Sequence, residues 1–238
     1  SFFLNGIALR EFPTLSIVTA RVGLAALALL FLMEMLGQGI QLNRQILKAF
    51  FGMSFLNNVV AFSLIVWGQQ HIASGVASIL NATTPLLTML VAHWFTTNEK
   101  INPRRLLGVL TGMGGVGLMM GLDSMESSGF HLLGQSAILL AAMTYGFAGV
   151  YGKRFAQLGI SPLATATGQL CASSMILIPL TLWIDQPWTF AMPSIEGMGS
   201  LLGIALLSTE LAYVIYFRLL KTAGATNLLL VTLLIPVL

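Results

Sequence analysis

Apolar residues in this chain run in long blocks, and polar residues collect in short gaps between them. The blocks fall at residues 1–9, 14–36, 49–68, 73–96, 106–122, 132–152, 162–184, 198–217 and 223–238. A bilayer crossing takes about 20 apolar residues. The pattern therefore predicts seven whole spans, with a partial one at each end. Hydrocarbon cannot satisfy exposed backbone N–H and C=O groups, so spans of this length must be helices. They show none of the period-two alternation of barrel strands. Short polar turns make successive helices antiparallel neighbours.

Charge adds an orientation. Arg10 and Glu11 come first, then Arg44 with Lys48, then an uncharged gap at Gln69, Gln70 and His71. Glu99, Lys100, Arg104 and Arg105 follow, then Asp123 with Glu126, Lys153 with Arg154, Asp185 with Glu196, and Arg218 with Lys221. Every second gap is basic. Cytoplasmic turns retain Lys and Arg, so the basic gaps are assigned to the inside. Nine of the 11 basic residues then share one side; Arg10 lies on the other, and Arg21 lies within a span. Charged residues make up only 8% of the chain, apolar residues 56%, and the mean hydropathy is +0.88. The net charge of +3 is the excess of the inner turns and does not call for a nucleic-acid partner. The single cysteine, Cys171, lies in an apolar block and reads as a small hydrophobe. No signal peptide is visible.

The chain also repeats itself. Residues 145–154 (YGFAGVYGKR) follow the plan of residues 1–10 (SFFLNGIALR), each ending in Arg, with Pro162 and Pro13 shortly after. Arg21 and Gln169 then occupy matching places. Residues 57–87 align without a gap to 208–238, setting Pro85 on Pro236. Five spans per copy is odd, so the second copy must be upside down. Inverted five-helix repeats are a transporter plan, with the substrate site between the copies near the midplane. The expected domains are 1–122 and 132–238.

The stretches PTLSIVTARVGLAALALL, VVAFSLIVWGQQHIASGVASILNATTPLLTMLVAHWF and LLGVLTGMGGVGLMMG, with PLATATGQLCASSMIL and STELAYVIYFRLLKTAGATNLLLVTLLIPVL in the second half, resemble the drug/metabolite transporter superfamily, in its ten-helix EamA-type members. The resemblance covers essentially the whole chain. It implies an all-α polytopic fold of ten helices, both termini cytoplasmic, and export of amino acids or other small metabolites across the inner or plasma membrane. Against that pattern about a dozen residues of the first span and about 35 at the end are expected to be missing.

Candidate site residues follow from polarity at depth. Glu210, in LLSTELAYVIYF, is the sharpest, because an ionisable group inside a span costs about 2.5–3.5 kcal/mol and should face a cavity or partner. Tyr213 and Phe217 share its face. Glu210 is the candidate for proton coupling; the bland alternative is a hydrogen-bonded structural acid. Arg21 could clamp an anion with its five fixed donors, or snorkel, or pair with an acid; the structural reading is favoured. Asn57, Asn58, Asn81, Gln169 and Asn227 are amides that must find partners in lipid. Asn58 and Asn81 are the preferred cavity pair, and Tyr145 and Tyr213 lie deep enough to line the same space. Trp67, Tyr151, Trp188 and Tyr216 read as interfacial aromatics. Pro85 and Pro236 should break their helices and are candidate hinges. Gly108, Gly112, Gly117 and Gly121 give the fifth span a small face for a partner helix, so a monomer and a homodimer both stay open. His71 and His93 are too far apart for a local metal pair. The methionines form no regular cluster, and no metal or other cofactor is expected. No G-x-S-x-G, H-E-x-x-H or P-loop pattern occurs.

The leading expectation is a secondary active transporter working by alternating access on a small-molecule substrate. Multidrug or cation efflux, a channel, an assembly subunit and an intramembrane enzyme are the alternatives.

Overall fold

A computed structural model describes residues 2–40, 42–96, 100–120, 129–190, 192–213, 215 and 219; at 105, 112, 113, 115–120, 129, 130 and 210 the description covers backbone only. The described residues form helices joined by turns and loops, with no strand among them. In order they are α1 (Phe2–Ala8), α2 (Thr14–Met35), α3 (Arg44–Ser54), π1 (Phe55–Val60), α4 (Ala61–Gly68), α5 (Ser74–Asn81), α6 (Thr84–Phe95), α7 (Pro103–Met120), α8 (Gly129–Gln157), α9 (Pro162–Ile184), a 3₁₀ turn at Pro187–Thr189, α10 (Ile195–Ala205) and π2 (Leu206–Leu211). Here π1 and π2 are six-residue turns with the wider i→i+5 spacing.

Five helical stretches among the described residues are long and apolar enough to cross a bilayer: Thr14–Met35, Arg44–Gly68, Ser74–Phe95, His131–Gln157 and Pro162–Ile184. The chain is an all-α polytopic membrane protein. Two helices outrun their apolar blocks. α3 starts at Arg44 because Asn43 caps it, its Oδ1 accepting from the Ile46 N–H at 2.8 Å. α8 continues through Lys153 and Arg154 to Gln157 before turning at Gly159, which adopts φ 70°.

The main core packs α2, α3, α4, α8, α9 and α10 around Val18, Val22, Leu29, Phe50, Met53, Leu170 and Leu177. A smaller core joins Phe2, Ile65, Ile72, Ala77, Ile138 and Ala141. Without a hydrophobic drive between helices in lipid, close approach through small residues carries the packing. Gly68 and Gly134 illustrate it: a Cβ on either would lie about 3 Å from the other's carbonyl oxygen. Leu27, Phe31, Met175, Ile178 and Trp183 point outward, as a lipid-facing surface requires.

The Ser74–Phe95 span is interrupted. α5 ends at Asn81 and α6 begins at Thr84, with Pro85 in its first turn. Proline tolerates that position, where its missing N–H has no intrahelical partner to lose. Pro236 lies outside the described residues.

Two carboxylates tie the beginning of the chain to its end. Asp185 Oδ2 accepts from the backbone N–H and hydroxyl of Ser16, both at 2.7 Å, in the first turn of α2. Glu11 reciprocates on α10: its Oε2 accepts from the Ser194 N–H at 2.7 Å, and its Oε1 from the Ser194 hydroxyl. Negative charge at a helix N-terminus opposes the macrodipole, which favours both contacts.

Candidate functional site

The π turns place the polar side chains. In π2 the Thr209 hydroxyl donates to the Ile204 C=O, five residues back, at 2.9 Å. That fixes the hydroxyl proton and leaves its lone pairs for a donor. Arg21 Nε, from α2, supplies one at 2.7 Å. The guanidinium carbon of Arg21 also lies 3.8 Å from the centre of the Phe62 ring. Arg21 is 7% exposed, so its charged end does not snorkel. No carboxylate pairs with it among the described residues, and four of its five N–H donors are without a described partner.

Phe62 is the hub of an aromatic group. Tyr213 stacks near it at 6.4 Å and 17°, and Tyr145 meets it edge-on at 6.4 Å and 70°. π1 contributes the amides. Asn58 is fully engaged: Nδ2 donates to Ser173 Oγ at 2.6 Å, and Oδ1 accepts from the Tyr213 hydroxyl at 2.5 Å. Asn57 Nδ2 donates to Tyr213 Oη at 3.0 Å and reaches Gln169 Oε1 at 3.4 Å. Ser173 closes the network onto Ser54 Oγ at 2.8 Å and the Gln169 carbonyl at 2.7 Å. Gln169 Nε2 is buried without a partner among the described residues.

The fold therefore gathers Arg21, Asn57, Asn58, Tyr145, Gln169 and Tyr213 around Phe62. It does not add Asn81, which sits at the α5–α6 break; among the described residues its buried Oδ1 has no partner and it makes no hydrogen bond to this cluster. The expected pairing of Asn58 with Asn81 gives way to Asn58 with Ser173 and Tyr213. The Glu210 side chain, Asn227 and Gly121 lie outside the described residues, and at Gly112 and Gly117 only the helical backbone is described. Gly108 is described, and a Cβ there would meet nothing within 4 Å.

Sequence reading missed Ser54, Phe62, Ser173 and Thr209. Ser54 with Asn58, and Gln169 with Ser173, are i,i+4 pairs of polar residues inside apolar blocks, which is a usable signal. Thr209 had only its place beside Glu210.

Spans of apolar helix around a polar cluster that holds the buried Arg21 define a class: multi-pass α-helical membrane proteins. The sequence model of the EamA-like transporter family matches residues 1–121 and 132–238, and this chain belongs to that family. It is 25% identical over 236 residues to the uncharacterized transporter YoaV of Bacillus subtilis (strain 168), covering 98% of this chain and 78% of that one. It is 26% identical over 224 residues to the uncharacterized inner membrane transporter YedA of Escherichia coli (strain K12), covering 94% and 71%. A solved crystal structure matches the fold with a TM-score of 0.75 at 16% identity, over 99% of this chain and 85% of that one.

Proposed function

We propose that the protein is a secondary active transporter of the inner or plasma membrane that exports a small carboxylate-bearing metabolite, such as an amino acid. In this reading residues 1–122 and 132–238 are inverted halves that rock about the site between them, with Pro85 and Pro236 as hinges. The observation that carries it is the buried Arg21 guanidinium, which makes one side-chain hydrogen bond among the described residues. A cation at depth costs about 2.5–3.5 kcal/mol. The face of Phe62 returns about 0.5–2 kcal/mol and the Thr209 contact is one neutral acceptor. Neither supplies a counter-charge. A substrate carboxylate would, accepting two parallel N–H bonds from the planar fork. Gln169 Nε2, on the facing helix, is a further donor with no partner among the described residues. Asn57 and Asn58 bond mainly within the protein, so they position Tyr213 more than they touch substrate.

The test is counterflow in proteoliposomes with labelled amino acids and with the matching amines that lack the carboxyl group. Amino acids should exchange saturably and the amines should not. Arg21→Gln should remove the exchange. Equal carriage of the amines, unaffected by Arg21→Gln, would refute the carboxylate assignment and point to cation efflux. Coupling to protons through Glu210 is a separate arm: Glu210→Gln should flatten the pH dependence of exchange, and an unchanged profile would assign the driving force elsewhere.

A further inference from the structure

Away from the Arg21 cluster, the first turns of α3 and the last turns of α8 enclose a cleft of about 510 Å³ lined by Gln45, Lys48, Arg154, Gln157 and Leu158. Among the described residues no acidic one lines it. Gln45 and Lys48 are three apart on α3, as are Arg154 and Gln157 on α8, so each helix presents one cation and one amide to the same space. The spacing between the two cations is set by the core beneath them. Phe50, two residues beyond Lys48, stacks on Phe155, the neighbour of Arg154, at 5.5 Å between ring centres. Arg154 is itself held, its guanidinium carbon 4.3 Å from the Tyr151 ring centre. Tyr151 is in turn wedged against α3, where a Cβ on Gly52 would lie 2.4 Å from its hydroxyl. The cleft is also at a particular depth. Lys48 and Arg154 stand near the ends of the spans Arg44–Gly68 and His131–Gln157, on the side of the basic turns, where lipid headgroups lie.

We infer that this cleft binds the phosphate of an anionic glycerophospholipid of that leaflet. Two cations, Arg154 held by Tyr151 and Lys48 facing it, and two amide groups, with no carboxylate among the described lining residues, suit a group that carries one negative charge and several acceptor oxygens. Basic pockets between spans on the cytoplasmic side are recognised headgroup sites. The volume is adequate for a phosphoglycerol group. Leu158 gives the cleft an apolar wall beside which the glycerol backbone can lie.

Thermal unfolding of the purified chain in detergent tests this with four additives: phosphatidylglycerol, phosphatidylcholine, glycerol 3-phosphate and inorganic phosphate. Phosphatidylglycerol should raise the melting temperature in a saturable way and the other three should not, since a ligand of the folded state stabilises it. Lys48→Gln with Arg154→Gln should weaken the apparent lipid affinity about 30-fold, at about a fivefold factor per cation. Lys100→Gln with Arg104→Gln, two cations elsewhere, should leave it unchanged. If the double variant does not fold, Lys48→Gln alone, at an exposed position, should give the fivefold loss. Equal stabilisation by phosphatidylcholine, or equal loss in the Lys100/Arg104 variant, would overturn the site. A shift given by inorganic phosphate alone, and lost in the Lys48/Arg154 variant, would overturn the lipid as its occupant.

Discussion

The stretch Arg44–Val60 and the stretch Ile195–Leu211 are built alike and carry different chemistry. Each opens on a side-chain cap, Asn43 to Ile46 N–H in one and Ser194 to Gly197 N–H in the other. Each runs 11 residues as α-helix and then six as a π turn. The two turns fall at corresponding places in the alignment of residues 57–87 with 208–238. Yet π1 offers two amides, Asn57 and Asn58, where π2 offers Ser208, Thr209 and Glu210. Their partners differ in the same sense. Arg21 on α2 reaches across to π2, and neutral Gln169, at the matching place on α9, reaches across to π1. Backbone architecture is thus duplicated while charge is confined to one of the two crossings.

Breaking that asymmetry should have the largest effect. A charge-assisted bond to a carboxylate contributes about 1.5–3 kcal/mol, so Arg21→Gln should cut exchange about 10- to 150-fold. Arg21→Lys should recover little, because an ammonium lacks the planar fork. Gln169→Leu should cost exchange far less. Arg21→Gln should not unfold the protein, since exchanging a buried charge for a neutral group is often neutral or stabilising. Exchange assays with parallel melting curves check this. Equal losses at Arg21 and Gln169 would mean that the two crossings do the same work.

The packing around the two crossings sharpens the comparison at a smaller scale. Gly168 precedes Gln169 as Ala20 precedes Arg21. A Cβ on Gly168 would sit 2.3 Å from the Phe50 ring, which is buried and stacked on Phe155 and has nowhere to go. Gly168→Ala should therefore destabilise by about 1–3 kcal/mol. At Gly203 the nearest contact is the tip of Leu4 at 3.1 Å, a flexible end that can turn away. Gly203→Ala should stay within about 0.5 kcal/mol. Chemical denaturation in mixed micelles measures both. A tolerated Gly168→Ala would mean that α3 and α9 approach less closely than described.

How much of this could be read from sequence depends on which interaction sets each feature. The spans were legible because the bilayer imposes length and apolarity directly, and Thr14–Met35 and Pro162–Ile184 fall almost where their blocks predicted. The start of α3 at Arg44 was not, because a cap and a polar first turn fix it while the apolar block opens at 49. π1 and π2 have no periodic signature: an i→i+5 turn shifts a helix by one residue within a run that is apolar either way. Arg21, Asn58 and Gln169 stood out as polar groups at depth. Their pairings with Thr209, Ser173 and Asn57 could not be read, since each pair lies more than a hundred residues apart and is joined only by the crossing of helices. Asn81 shows the limit. Its polarity and depth match those of Asn58, and only the helix path separates them.

The smallest effect should come from the two carboxylates that bind the beginning of the chain to its end, where again one frame carries unequal members. Asp185 meets Ser16 in a partly buried contact, whereas the Glu11 contact with Ser194 is exposed. Hydrogen bonds from the Ser194 hydroxyl and backbone N–H hold the Glu11 carboxyl below its ordinary value of 4.5. A depressed value in the folded state means that the contact stabilises fully above the unfolded value. That stabilisation is lost as pH falls through 4.5 toward the folded value. Wild-type protein should therefore melt slightly above Glu11→Gln at pH 7. The gap should hold down to about pH 6 and close as the carboxylate takes up its proton. Added salt should narrow it at every pH, since the charge is open to solvent. Asp185→Asn, at the more buried contact, should lower the melting temperature more than Glu11→Gln does at pH 7. A gap between wild type and Glu11→Gln that widens on acidification would show that Glu11 is strained against Ser194 and not stabilised by it.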